Sequence, residues 1–230
     1  MQLIPEDKLI WSPIVANSRM NRERKASGVN SCEQEFGFKP ENYLLERIKQ
    51  QSSVSWLDLC CGQGNALVQT AVYFHAHGLQ DKVVLKGIDL LDAFTPVDDR
   101  LTCLQFQVTS LMGWQPDSTY DLITCSHGLH YLGDKFKVIQ LAVGALTDTG
   151  LFIAHLDLNN IVVEGTTFQS YLNILFKRQQ LQYNKKKRLL QQVGSKTIDF
   201  SLFYKGADDQ AGPNYTGQDA VTSYYTTTTI

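Results

Sequence analysis

Two histidines three residues apart, in the run Ser126-His127-Gly128-Leu129-His130-Tyr131, are the side chains best suited to moving a proton near neutral pH. Either imidazole could take the proton of a hydroxyl or ammonium nucleophile as it attacks. The bland reading of His130 is a ring packed behind the site and bonded to backbone. His155, set between Ala154 and Leu156, reads as a satisfied core residue. Further upstream, two carboxylates and two glycines are spaced to hold a ligand: Asp58, then Cys60-Cys61-Gly62-Gln63-Gly64, then Asp89, twenty-five residues past Gly64. Gly62 and Gly64 can take positive φ and leave room where a Cβ would clash. An acid at the tip of a second strand can accept hydrogen bonds from the two hydroxyls of a ribose.

Those groups need a sheet to bring them together. Val54 to Leu59 reads as a buried strand that passes through the glycine turn into a helix from Asn65 to His77, stopped by Gly78. The helix start turns free N–H groups and a positive dipole end toward the turn, so the ligand there should be polar or anionic. Pro40-Glu41 opens a preceding helix. Further strands are expected at Val83 to Asp89, Leu101 to Val108, Tyr120 to Cys125 and Leu151 to Leu156, with a helix at Lys135 to Leu146 between the last two. Thr166 to Val193 reads as helical, with Lys185 to Arg188 as a solvated face. Ile198 to Tyr204 and Val221 to Thr228 read as two antiparallel strands joined by a turn-rich loop. The alternation predicts an α/β fold, a doubly wound, Rossmann-like, seven-stranded sheet, mostly parallel with an antiparallel last strand.

Composition narrows the classes. The chain has 230 residues, 43% hydrophobic and 19% charged, enough for one core and short for two. A formal net charge of −2 carries no basic footprint for nucleic acid, so none is expected as a partner. The start MQLIPEDKLIW shows no signal-peptide pattern and no run reaches the ~20 apolar residues of a membrane span, so no membrane partner and a cytoplasmic location are expected. The five cysteines fall mostly in apolar strands and read as neither disulfides nor metal ligands, and no metal is expected.

Leu57-Asp58-Leu59-Cys60-Cys61-Gly62-Gln63-Gly64 resembles the first motif of the class I S-adenosylmethionine-dependent methyltransferases, an acid in an apolar strand followed by G-x-G-x-G, with Cys60 at the first glycine. Asp89 is similar to that family's ribose-binding acid, and Tyr120 to Ser126 to its fourth-strand motif. The resemblance implies S-adenosyl-L-methionine as methyl donor, with S-adenosyl-L-homocysteine as product, held by Asp58, Cys60, Gly62, Gly64, Asp89, Leu90, Thr109, Ser110 and Ser126. His127 and His130 are the candidate bases for methyl transfer. Thr109 and Ser110 stand where the family often has an acid at the adenine amine. No N-P-P-[YF] follows the fourth strand, where Cys125-Ser126-His127-Gly128 stands instead, so exocyclic base amines and glutamine amides lose weight as acceptors.

Residues 40–230 form the expected catalytic domain and residues 1–39 an expected cap or lid. Arg19, Arg22 and Lys25 lie three apart and could share a helix face suited to an anionic substrate group. Tyr131 and Asp157 are the other substrate candidates. The expected function is transfer of a methyl group to an O or N acceptor of a small molecule or a peptide, by a monomer or homodimer. The alternatives are an S-adenosylmethionine-binding protein without transfer activity, a protein or RNA methyltransferase, and a nicotinamide oxidoreductase. The antiparallel last strand separates the chain from the oxidoreductase.

Overall fold

A computed structural model describes residues 3–16, 23–166 and 168–227. Arg19 and Arg22 lie outside them. The sheet grows from β1 (Val54–Leu59), whose residues are nearly all buried. Trp56 packs on one face with Leu67, Phe74, Leu85 and Leu122, and Leu57 and Leu59 on the other with Ile123, Phe136, Ile139 and Phe152. A strand apolar on both faces needs helices on both, which is the packing of a parallel sheet. Helix α5 (Asn65–Ala76) covers the Trp56 face, and α6 (Lys135–Gly144) the other.

β2 (Val83–Asp89) and β4 (Tyr120–Cys125) flank β1 in parallel, β3 (Leu104–Val108) lies outside β2, and β5 (Leu146–His155) outside β4. The order is β3-β2-β1-β4-β5-β8-β7, where β7 is Gln182–Asn184 and β8 is Leu189–Val193. The reversal between β1 and β4 is the switch point at which open α/β sheets form a ligand crevice beyond their strand ends. The expected α/β, seven-stranded, mostly parallel fold is the one observed. Before β1, α4 (Pro40–Ile48) is tied to the sheet by Arg47, whose Nη2 donates to Asp121 Oδ1 at 3.0 Å.

Three expectations are corrected. The helix read over Thr166 to Val193 is shorter: α7 runs Phe168–Arg178, and the chain then makes the β7–β8 hairpin with Lys185, Lys186 and Lys187 exposed at its turn. β8 is the strand antiparallel to β5. The two tail strands, β9 (Leu202–Asp208) and β10 (Thr222–Thr227), are antiparallel to each other as expected, but they join a separate sheet with β6 (Ile161–Val163). Lys25, read as helical, sits in an isolated bridge with Ser31. All five cysteines are free.

Candidate functional site

The turn after β1 is built from backbone that ordinary residues avoid. Cys60, Gly62 and Gly64 have φ of 55°, 62° and 72°. Gly64 caps α5, and a Cβ there would fall 2.3 Å from the Phe106 ring. Cys60 holds the left-handed conformation despite its Cβ, at a cost of roughly 1 kcal/mol. That position is where the family pattern has glycine.

Asp89, at the end of β2, reaches across to this turn. Its Oδ2 accepts the Gly62 N–H at 2.8 Å and its Oδ1 the Leu91 N–H at 3.1 Å. An ionised carboxylate has about four acceptor sites, a number that accommodates ligand hydroxyls beside backbone N–H groups. Both Gly62 and Asp89 remain partly exposed. Asp58 lies deeper. Its Oδ1 accepts from Thr124 Oγ1 at 2.5 Å, and that hydroxyl accepts in turn from Trp56 Nε1 at 2.8 Å. Burial pushes the Asp58 carboxyl up to about 6, against the Thr124 hydrogen bond and the charge of Arg24.

A cleft of ≈ 900 Å³, its open mouth included, lies over the ends of β1, β2 and β4. Cys60, Gly62, Asp89, Leu90, Thr109, Ser110, Ser126, His127 and Tyr131 line it, while Asp58, Gly64, His130 and Asp157 do not. Asp157 spends its carboxylate on backbone: Oδ2 accepts from Tyr215 N–H at 2.7 Å and Oδ1 from Asn159 N–H at 3.1 Å. His130 is fully buried, both ring nitrogens lack partners, and burial followed by the charges of His127, Lys135 and His155 pushes its pKa well below the ordinary imidazole value.

Residues before Pro40 complete the wall. Glu6 and Leu9 of α1 (Glu6–Leu9), with Ile10 and Val15, close one side. Arg24 Nη1 donates to the Ser126 carbonyl at 3.3 Å, and its Nε and Nη2 are buried without partners, as is Ser126 Oγ. Glu35, in α3 (Cys32–Phe36), places Oε1 3.2 Å from His127 Nε2 and Oε2 3.2 Å from His155 Nε2. The His127 and His155 rings stack with centroids 4.1 Å apart and planes 6° from parallel. His127, like Cys60, has positive φ, 60°.

Sequence reasoning missed Arg24 and Glu35. Arg24 lies between Arg22 and Lys25, whose helical spacing drew attention instead. Glu35 carried no local signal. The arrangement suits an adenosine-bearing ligand with an amino acid end: Asp89 offers a carboxylate to hydroxyls at the cleft wall, and Arg24, whose Nε and Nη2 lack partners, offers a cation to a carboxylate.

A family model described as a methyltransferase domain matches residues 33–195. A search with the sequence finds no match among curated proteins. Among solved structures, the N-methyltransferase NodS from Bradyrhizobium japonicum WM9 is 14% identical over 68% of this chain and 86% of its own, with a TM-score of 0.42. A SAM-dependent methyltransferase from Aquifex aeolicus is 11% identical over 67% of this chain and 88% of its own, TM-score 0.42. Coclaurine N-methyltransferase is 15% identical over 50% of this chain, TM-score 0.37, and the chain spans 34% of its length. Likenesses this distant carry no assignment, and membership follows from the family match alone. The chain therefore belongs to the methyltransferase-domain family.

Proposed function

We propose that this enzyme methylates an O or N atom of a small molecule or a peptide, with residues 1–39 acting as a cap over the acceptor. The observation that carries the reading is one cleft walled both by the Asp89-held glycine turn and by residues of the N-terminal segment. A net charge of −2 adds no attraction for nucleic acid.

In this reading Arg24 takes the carboxylate of the cofactor's amino acid end and Asp89 the ribose hydroxyls. Thr109 and Ser110 stand at the adenine side. Asp58 acts from below: through Thr124 it ties β1 to β4, and its charge faces Arg24. The bound cofactor supplies an activated methyl on a sulfonium. The protein then has to align donor and acceptor and exclude water. Leu9, Ile10 and Val15 supply the apolar wall for that exclusion. Incubation with methyl-labelled cofactor and a whole-cell extract, afterwards separated into metabolite, peptide, protein and RNA fractions, tests the reading. Label is expected in a small molecule or peptide fraction, whereas label only in RNA or large proteins, or none in any fraction, contradicts it.

A further inference from the structure

Charge is unevenly supplied along the cleft wall. Among the described residues, the Asp, Glu, Lys and Arg side chains that line it are Glu6, Arg24 and Asp89. Asp89 holds the glycine turn and Arg24 lies on the Ser126 carbonyl, so the reading above gives both to the cofactor. Glu6 is left over. It is half-buried and lies against Gly133, in the segment that follows β4, where a Cβ on the glycine would overlap both Glu6 Oε2 and Tyr204 Oη. β4 flanks β1 on the side away from β2 and Asp89.

The protein's own cation does not satisfy Glu6. Lys135, whose charge acts on it, is fully buried and gives its Nζ hydrogens to the Leu132 and Val221 carbonyls, each at 2.8 Å, and to Ser223 Oγ at 2.6 Å. Burial raises the Glu6 carboxyl above its ordinary value, opposed by the nearby Tyr204 hydroxyl and reinforced by the charge of Asp134. Even so, Glu6 Oε2 and Tyr204 Oη are both buried without a hydrogen-bond partner. An acceptor oxygen kept from water and left unpaired destabilises the empty cleft, and a donor bound there removes that penalty. The rest of this wall is apolar, made by Leu9, Ile10, Val15, Met112 and Leu132.

We propose that the methyl acceptor carries a positively charged nitrogen on an apolar body, and that Glu6 is the specificity-determining residue that holds this nitrogen. The inference rests on the proposed methyl transfer and narrows its acceptor from any small molecule or peptide to amines. The nitrogen held by Glu6 is an anchor: it donates to the carboxylate, and no bond changes there. The apolar wall covers the carbon skeleton and shelters the charge pair from water, which strengthens it. An alcohol of the same shape leaves the carboxylate without a counter-charge, and an acid meets like charge. Two further carboxylates stand near, on a second pocket that shares Glu6, Ile10, Ser110 and Met112 with the cleft. Of these, Asp134 Oδ1 already accepts the Lys137 N–H and the Tyr225 hydroxyl, each at 3.2 Å, and Asp7 is exposed and does not line the cleft.

Ligand-observed NMR titration of the full chain, saturated with S-adenosylhomocysteine, tests the proposal with probes matched in shape. The amines are phenethylamine, tryptamine and octylamine; the alcohols are phenethyl alcohol, tryptophol and octanol; the acids are phenylpropionate, indolepropionate and nonanoate. At least one amine should bind about 10-fold or more tighter than its alcohol, the scale of one charged hydrogen-bonded contact, and its acid should bind more weakly still. Glu6→Gln should bring that amine to within about threefold of its alcohol, while Asp7→Asn keeps the preference. A wild type with no amine preference, or with no probe bound, overturns the proposal whether or not the variants fold. So does a preference that survives in Glu6→Gln or disappears in Asp7→Asn. Binding of S-adenosylhomocysteine is measured first: its absence ends the methyltransferase reading, whereas its presence without an amine preference ends this inference alone.

Discussion

Asp89 and Gly62 are joined by a 2.8 Å hydrogen bond from the glycine N–H to the carboxylate, so the acid ending one strand shapes the turn leaving its neighbour. Cavity and ligand anchor thus share one side chain. Losing it should cost more than a single ligand contact.

Asp89→Asn keeps size but sets an NH₂ group against the Gly62 or Leu91 N–H. Both it and Asp89→Ala should weaken S-adenosylhomocysteine binding by about 100-fold or more, roughly 2.7 kcal/mol, from lost charge-assisted bonds and a loosened turn. Calorimetry checks this. Affinity within threefold of wild type for either variant would remove Asp89 from the site.

Arg24→Met should lower affinity for S-adenosylhomocysteine by about 10- to 100-fold, the scale of one charged hydrogen-bonded contact. Affinity for 5′-methylthioadenosine, which lacks the amino acid end, should change by no more than about twofold. Equal loss for both ligands would show that Arg24 shapes the pocket instead of binding the carboxylate.

Gly128 stands where a Cβ would meet Cys60 Cβ at 2.4 Å and Sγ at 2.7 Å, whereas one at Gly113 would meet nothing within 4 Å. Gly128→Ala should therefore destabilise by about 1–3 kcal/mol through overpacking against the turn, while Gly113→Ala stays within about 0.5 kcal/mol. Denaturant unfolding of both variants decides it. A Gly128→Ala protein as stable as Gly113→Ala would refute the close approach.

Stability should depend on pH through buried histidines. Burial first, then neighbouring charges, lowers the folded pKa of His130. His155 is lowered mainly by burial, against its hydrogen bond to Glu35. The unfolded chain takes up protons near pH 6.5 that the folded chain refuses, so stability is full above that pH and falls as pH drops, by up to ~1.4 kcal/mol per pH unit for each group. His130→Phe should flatten the slope between pH 6.5 and 5 by about one proton. An unchanged slope would show that His130 titrates alike in both states.

Local chemistry was readable in the sequence: β1, the glycine turn, α5 and Asp89 lie close in the chain and follow from apolar runs, two glycines and one acid. The β7–β8 hairpin was hidden because the bends before β7 and before β8 use Gln180 and Arg188 in the left-handed conformation, at φ of 52° and 56°, with no glycine at either. Alternation revealed β9 and β10 as strands, but their partner β6 is three residues long and distant in sequence, so the second sheet had no local sign. Arg24 and Glu35 owe their places to contacts 102 and 92 residues away, with Ser126 and His127. The first strand, its turn and Asp89 are local in origin, whereas Arg24, Glu35 and the second sheet are tertiary.

Equilibrium dialysis of the wild-type protein against methyl-labelled S-adenosylmethionine addresses the central claim most directly. One saturable site per chain, displaced by S-adenosylhomocysteine and indifferent to NAD, is the predicted result. No saturable binding, or displacement by NAD, would contradict it.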